Sequence, residues 1–215
     1  MDTVKSTAIK NSEAKVKYHS DQVVFNLVFA LIFAALMAIS ANSFMYLPFT
    51  PIPITLQVLT VLLSGLFLGS RWALASQALY IYMGMMGLPV FSGFKNAAAF
   101  LAGPTVGYVV GFLAAAFVVG YIYENSARKT NGSLNNLLTC LFSCAAGVLL
   151  IHLFGFIYLF GYFFSITGTQ SVLSALIKTW KLGTQPFLVI DFLKIITAVI
   201  IVNVNKIRNE KYKNK

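Results

Sequence analysis

An all-α integral membrane protein, a bundle of six transmembrane helices with both termini in the cytoplasm, is the fold this sequence predicts. Three observations carry that expectation. The 215 residues are 58% hydrophobic and only 10% charged, with a mean hydropathy of +0.79, whereas a soluble domain is about 45–50% apolar and about 25% charged. A water-soluble globule of comparable length buries only about 70% of its unfolded surface, so lipid is the solvent that accepts the rest. Apolar runs recur between polar, Pro-rich and Gly-rich breaks, near the roughly 20-residue length of a span. The basic residues, finally, are sorted by side.

Taken in order, the first span is expected over Val23–Met45. A Pro-rich loop, Tyr46–Thr55, leads to a short second span, Leu56–Leu68. Gly69-Ser70-Arg71 is a turn signal, and the third span follows over Trp72–Met86. A second unusual loop, Gly87–Gly103, contains the polar pair Lys95-Asn96. The fourth span is Pro104–Tyr123, a polar connector is Glu124–Asn136, and the fifth span is long, Leu137–Phe164. A further connector, Ser165–Gln185, carries Lys178 and Lys181. Pro186 suits a first helical position and opens the sixth span, which runs to Val204. Residues 1–22 and 206–215 are basic tails around a membrane domain of 23–205.

Charge tests the topology. Lys5, Lys10, Lys15, Lys17, Arg71, Arg128, Lys129, Lys206, Arg208, Lys211, Lys213 and Lys215 fall on one side of a six-span chain. Lys95, Lys178 and Lys181 fall on the other, and Lys194 lies within a span. Such a bias places both termini in the cytoplasm. The same placement, flanking an apolar body, argues against nucleic acid as the reason for the net charge of +10. The N-terminal apolar run is too long for a cleavable signal, whose apolar region is about 7–15 residues. The two outer loops are apolar and rich in Pro and Gly. Their backbone groups need partners, which puts them at the interface or within protein, where capping loops form or cover binding sites.

Asp191 and Lys194 are the costliest pair in the chain. They stand three apart, on one helical face, in an apolar segment, and one charge near the bilayer centre costs about 2.5–3.5 kcal/mol on the lenient scale. Either they neutralise each other as a structural pair, or they face the bundle and meet a polar ligand. In the second reading Lys194 attracts an anionic or carbonyl group and Asp191 accepts N–H donors. Lys95 and Asn96 are either solvated or partly buried beside Phe91, Phe94 and Phe100. Thr50, Thr55 and Gln57 on the first loop add hydrogen-bonding capacity, and Tyr80, Tyr82 and Tyr108 offer apolar faces with polar tips.

Ala30, Ala34 and Ala38 form a small-x-x-x-small series that lets another helix approach closely. That helix belongs either to this bundle or to another membrane protein. His152 stands alone in the fifth span with no acid beside it and reads as a packed hydrogen-bonding residue. Cys140 and Cys144, one helical turn apart, are expected as membrane-packed thiols. There is no G-x-x-x-x-G-K-[ST], no H-E-x-x-H, no G-x-S-x-G and no Cys/His cluster. No catalytic residue, metal site or cofactor is therefore expected.

Four stretches occur in a telling order: Pro48-Phe49-Thr50-Pro51-Ile52-Pro53-Ile54-Thr55-Leu56-Gln57, then Gly87-Leu88-Pro89-Val90-Phe91, then Gly103-Pro104-Thr105 with Gly107-Tyr108, and finally Pro186-Phe187 with Asp191 and Lys194. Over about residues 23–205 the chain resembles the BioY family, the biotin-binding S components of energy-coupling factor (ECF) vitamin transporters. The resemblance implies a six-helix, multi-pass protein of the bacterial plasma membrane that captures biotin from the extracellular side, with outer loops as a lid. It implies partners, a transmembrane coupling subunit and two ABC ATPases, so that ATP hydrolysis lies outside this chain and the chain is no enzyme. It assigns Asp191 and Lys194 to the ligand, with Asn96 in a corresponding loop, and Ala30, Ala34 and Ala38 to docking the coupling subunit. Biotin contacts are then expected from Asp191, Lys194, Asn96, Lys95, Gln57, Thr50, Thr55, Phe91 and Tyr108. Two alternatives stand beside this reading: an S component for another vitamin, and a solitary biotin facilitator or secondary carrier.

Overall fold

The computed structural model describes residues 2–127, 133–166 and 171–213. Arg128, Lys129 and Lys215, counted in the charge bias, lie outside the described residues. Helix α1 (Asp2–Asn42) is continuous from the basic tail into the first span. Its apolar part, the 23 residues Ser20–Asn42, is about 35 Å long at 1.5 Å per residue, enough for a hydrocarbon layer of about 30 Å. Among the described residues, five helical stretches are long and apolar enough to cross a membrane: Ser20–Asn42, Gln57–Met85, Val106–Ser126, Leu134–Ser165 and Val172–Val204.

Helix α2 (Gln57–Met85) is folded back on itself. It breaks at Gly69, whose φ of +75° is a left-handed value that glycine adopts without a Cβ penalty. Gln57 Nε2 donates to Tyr80 Oη at 3.1 Å, although 23 positions separate the two and a straight helix would hold them about 35 Å apart. Gln77 Nε2 likewise reaches Ser64 Oγ at 3.2 Å across the fold. The first arm is therefore 57–68 and the second 70–85.

Before α2, strands β1 (Phe44–Met45) and β2 (Ile54–Thr55) pair antiparallel and clip the Pro-rich loop shut at its base. The second loop contains a short helix, α3 (Ala97–Leu101). Asn42, at the end of α1, ties this loop down: its Oδ1 accepts from Phe94 N at 2.8 Å.

Helices α4 (Val106–Ala127) and α5 (Ser133–Ile166) lie against each other, and α4 also packs on α2. The α4–α5 approach is close because glycines face rings. A Cβ on Gly107 would overlap Tyr158, and one on Gly155 would overlap Tyr108. Cys140 and Cys144 are free thiols, buried on α5. Large apolar side chains such as Val24, Ile39, Phe142, Leu149 and Val189 are exposed around the bundle, a surface suited to lipid rather than water.

The segment expected as the connector Ser165–Gln185 differs from that expectation where it is described. Helix α6 (Val172–Thr179) is followed by a π-helical turn (Trp180–Thr184), a 3-10 turn (Gln185–Phe187) and α7 (Leu188–Lys213). Lys178 reads as loop punctuation in the sequence, but its Nζ sits 4.7 Å from the centroid of the Phe163 ring. A long apolar stem and a cation–π contact allow a helix to carry that lysine.

The small-residue stripe on α1 faces inward. Ala30 and Ala34 are buried, Ala38 is half-buried, and α1 packs chiefly on α2. Ser40 and Thr60 hydroxyls meet at 2.6 Å across that contact. As placed, Ala30 and Ala34 are covered by this chain and are not open to a partner.

Candidate ligand-binding site

The Pro-rich loop, the second loop and the starts of α2, α4 and α7 meet at one end of the bundle. Together with α5 they line a shared, partly open cavity. Its apolar lining includes Ile52, Pro53, Val58, Val109, Phe112, Ile151 and Phe187. The aromatic wall is ordered: Phe91 and Phe100 stack with centroids 3.9 Å apart, and Tyr80 meets Phe91 edge-on at 5.6 Å. Such a wall suits a flat, apolar ring system.

Polar atoms are few and connected. Asp191 sits in the first turn of α7, where the helix dipole favours negative charge. Lys194 lies one turn on, and its Nζ donates to Asp191 Oδ1 at 2.8 Å. From α5, His152 brings Nε2 to 2.9 Å from Asp191 Oδ2. These three side chains are buried, at 3% exposure for Asp191, 8% for Lys194 and 8% for His152. One carboxylate thus bridges two donors, and removing either charged partner would strand the other in a poorly solvating interior.

A second polar chain links the two loops. Thr55 Oγ1 donates to Gln57 Oε1 at 3.3 Å, Gln57 Nε2 donates to Tyr80 Oη, and Tyr80 Oη donates to Val90 O at 3.4 Å. On the α4 side, Tyr108 Oη donates to Gly183 O at 2.8 Å. That carbonyl belongs to the π-helical turn.

Of the residues expected to contact a ligand, Asp191, Lys194, Gln57, Thr55, Phe91 and Tyr108 line this cavity. Thr50, Lys95 and Asn96 do not. Thr50 is buried behind it and donates to Leu182 O at 2.5 Å. Asn96 is exposed and caps α3, its Oδ1 accepting from Ala99 N at 3.0 Å. Lys95 is half-buried in the covering loop, its backbone N–H bonded to Phe91 O at 3.2 Å. The sequence reading missed His152 as a partner of Asp191, because 39 positions separate them and spacing within one helix carries no trace of the pair. It also passed over Ser92 and Thr105, both in the lining. Among the described residues no group of three or more His, Cys, Asp or Glu side chains is placed to hold a metal ion.

Residues 10–210 match the BioY family profile. The chain belongs to the BioY family. It is 35% identical over 175 residues to the biotin transporter BioY of Thermotoga maritima, covering 81% of this chain and 92% of that protein. It is 34% identical over 170 residues to a probable biotin transporter BioY of Pyrococcus horikoshii, covering 79% and 89%. The crystal structure of an S-component for biotin from an ECF-type ABC transporter superposes with a TM-score of 0.69 at 24% identity, over 86% of this chain and 93% of that one. That likeness establishes a shared, mostly helical fold. With its transporter relatives and, among the described residues, five helical stretches long and apolar enough to cross a membrane, this BioY chain is a membrane protein.

Proposed function

We propose that this chain is the substrate-capture subunit of an ECF-type vitamin importer and that biotin is its ligand. It is a transport protein, not an enzyme: its relatives carry transporter names. Biotin has a flat ureido group with two N–H donors and one carbonyl, an apolar thioether ring and a valerate carboxylate. The cavity offers a counterpart to each: polar side chains for the ureido group, the Phe91–Phe100 stack for the rings, and the remaining N–H groups of Lys194 for an anion or a carbonyl. The observation that carries this reading is the buried Asp191–Lys194 pair in the wall of a mostly apolar cavity. A buried site with a few fixed polar groups is what a small ligand of mixed polarity requires.

The two arms of α2, counted separately, bring the crossing segments to six and return both termini to one side. The basic bias read from the sequence makes that side the cytoplasm of a bacterial cell, with the cavity and its two loops facing outside. Lys95, Asn96 and Thr50 then shape and anchor the cover, while the cavity-lining residues make the contacts. A transmembrane coupling subunit and two ABC ATPases supply the energy, since the sequence has no phosphate-binding loop of its own.

Calorimetric titration of the detergent-purified chain with biotin, thiamine and riboflavin tests the ligand. Saturable binding of biotin alone is the expected result, and binding of another vitamin in its place overturns the assignment. Biotin uptake by cells producing this chain with and without the ATPase module tests the partners. Full uptake without the module would make the chain a solitary carrier.

A further inference from the structure

The polar atoms around the cavity separate into those with partners and those without. Both Asp191 oxygens are engaged, by Lys194 and by His152. Tyr108 Oη is engaged by Gly183. His152 Nδ1 and Ser92 Oγ are buried with no hydrogen-bond partner, and both residues line the cavity. A buried polar atom left unpaired is costly, and native proteins satisfy nearly all of them. Two such atoms on residues of one cavity's lining point to a molecule that supplies the missing partners.

The chemistry of that molecule follows from the ring. A carboxylate oxygen only accepts, so the proton facing Asp191 sits on His152 Nε2. The charge of Asp191 is already balanced by Lys194, and a second buried cation beside them would have no counter-charge. With its single proton on Nε2, the imidazole presents a lone pair at Nδ1. Its partner must be a donor. On biotin the carbonyl and the valerate carboxylate only accept, and the ureido nitrogens alone carry N–H groups.

We propose that His152 Nδ1 accepts one ureido N–H of the ligand, and that Asp191, itself in the cavity wall, also fixes the ring's tautomer and orientation. Hydrogen bonding at one imidazole nitrogen sets what the other can do, much as carboxylates orient the histidines that ligate metal ions. The edge-on contact of Tyr108 with the ring, centroids 6.3 Å apart, holds the imidazole from the side. This assignment rests on the biotin reading and goes beyond it by naming which residue recognises which atom.

The test uses the full chain in detergent, with biotin and its two mono-N-methylated ureido analogues as probes. The wild type should bind biotin and lose about tenfold or more for one analogue, the size of one buried hydrogen bond. His152→Gln keeps an N–H near the Nε2 position and removes the acceptor at Nδ1. It should lose about tenfold for biotin and cease to distinguish that analogue. His152→Asn places an amide oxygen near the Nδ1 position and should keep the discrimination. A His152→Gln variant that still discriminates as the wild type does overturns the proposal. A wild type that fails to bind biotin overturns the ligand reading itself, and the assignment with it. A second measurement needs no change in the site: in ¹⁵N-histidine-labelled His19→Gln protein, biotin should shift the Nδ1 resonance of His152 in the direction of a lone pair accepting a proton. An unmoved resonance at saturation also overturns the proposal.

Discussion

Ser70 Oγ donates to Glu124 Oε2 at 2.9 Å, fastening the tip of the folded helix α2 to the last turns of α4. The neighbouring Gly69 holds its φ of +75°, and a Cβ there would overlap the Glu124 carboxylate. Gly69→Ala therefore combines a left-handed alanine, about 1–2 kcal/mol, with displacement of the carboxylate from Ser70. A lower thermal midpoint in detergent is expected. Gly161→Ala on α5, where nothing lies within 4 Å, should be neutral or slightly stabilising by the same measurement.

Charge compensation around Asp191 can be separated from ligand contact. Asp191→Ala leaves Lys194 buried without its acid, at a cost of about 3–5 kcal/mol. The double change Asp191→Leu with Lys194→Met should recover much of that stability while remaining unable to bind biotin. Asp191→Asn keeps the shape and should weaken biotin binding by about 1–3 kcal/mol, the range for a lost charge-assisted hydrogen bond. Melting curves and titrations on the same preparations check all three. An Asp191→Asn protein with unchanged affinity would contradict the assignment.

Gly84 and Phe91 are also coupled. A Cβ on Gly84 would lie within contact of the Phe91 ring, so Gly84→Ala should push that ring off Phe100 at about 1–3 kcal/mol. Reduced biotin affinity follows, although Gly84 itself is not part of the lining. The double variant Gly84→Ala with Phe91→Leu should regain part of the lost stability. Equal losses in the single and double variants would show that the ring is not the obstacle.

Ala34 tests the inner face of α1. It has no exposed surface, so Ala34→Trp overpacks the α1–α2 contact and should destabilise the isolated chain by about 1–3 kcal/mol or more. Ile39→Trp, at a position 63% exposed, should leave the melting temperature unchanged. A stable, normally melting Ala34→Trp protein would mean that this face opens readily, as docking a coupling subunit through the alanines requires.

What the sequence reveals follows the range of its signals. The reversal at Gly69 is legible because a Gly-Ser-Arg break in an apolar run is a local mark. Asp191 and Lys194 are legible because spacing on one helix puts them together. The resemblance points Asn96 toward a ligand, yet an Asn ahead of Ala-Ala-Ala-Phe-Leu is also a helix-cap signal, and the cap is what the structure contains. Lys178 misled the reading of the connector, since a lysine's charge marks a loop while its stem and a ring on another helix do not show. His152 was out of reach for a different reason. Its partner comes from another helix, and only packing joins them. The alanine stripe told that a helix would come close, and could not tell which one.

The burial of Cys140 and Cys144 has a practical consequence. These are the chain's two cysteines, and both thiols are shielded from reagents, so a cysteine engineered into the covering loop at Phe94 would be the sole fast-reacting site for a maleimide dye or a nitroxide. Fluorescence or spin-echo distances from that label could then follow opening of the cover in the native background, with no need to strip the protein of its own sulfur first.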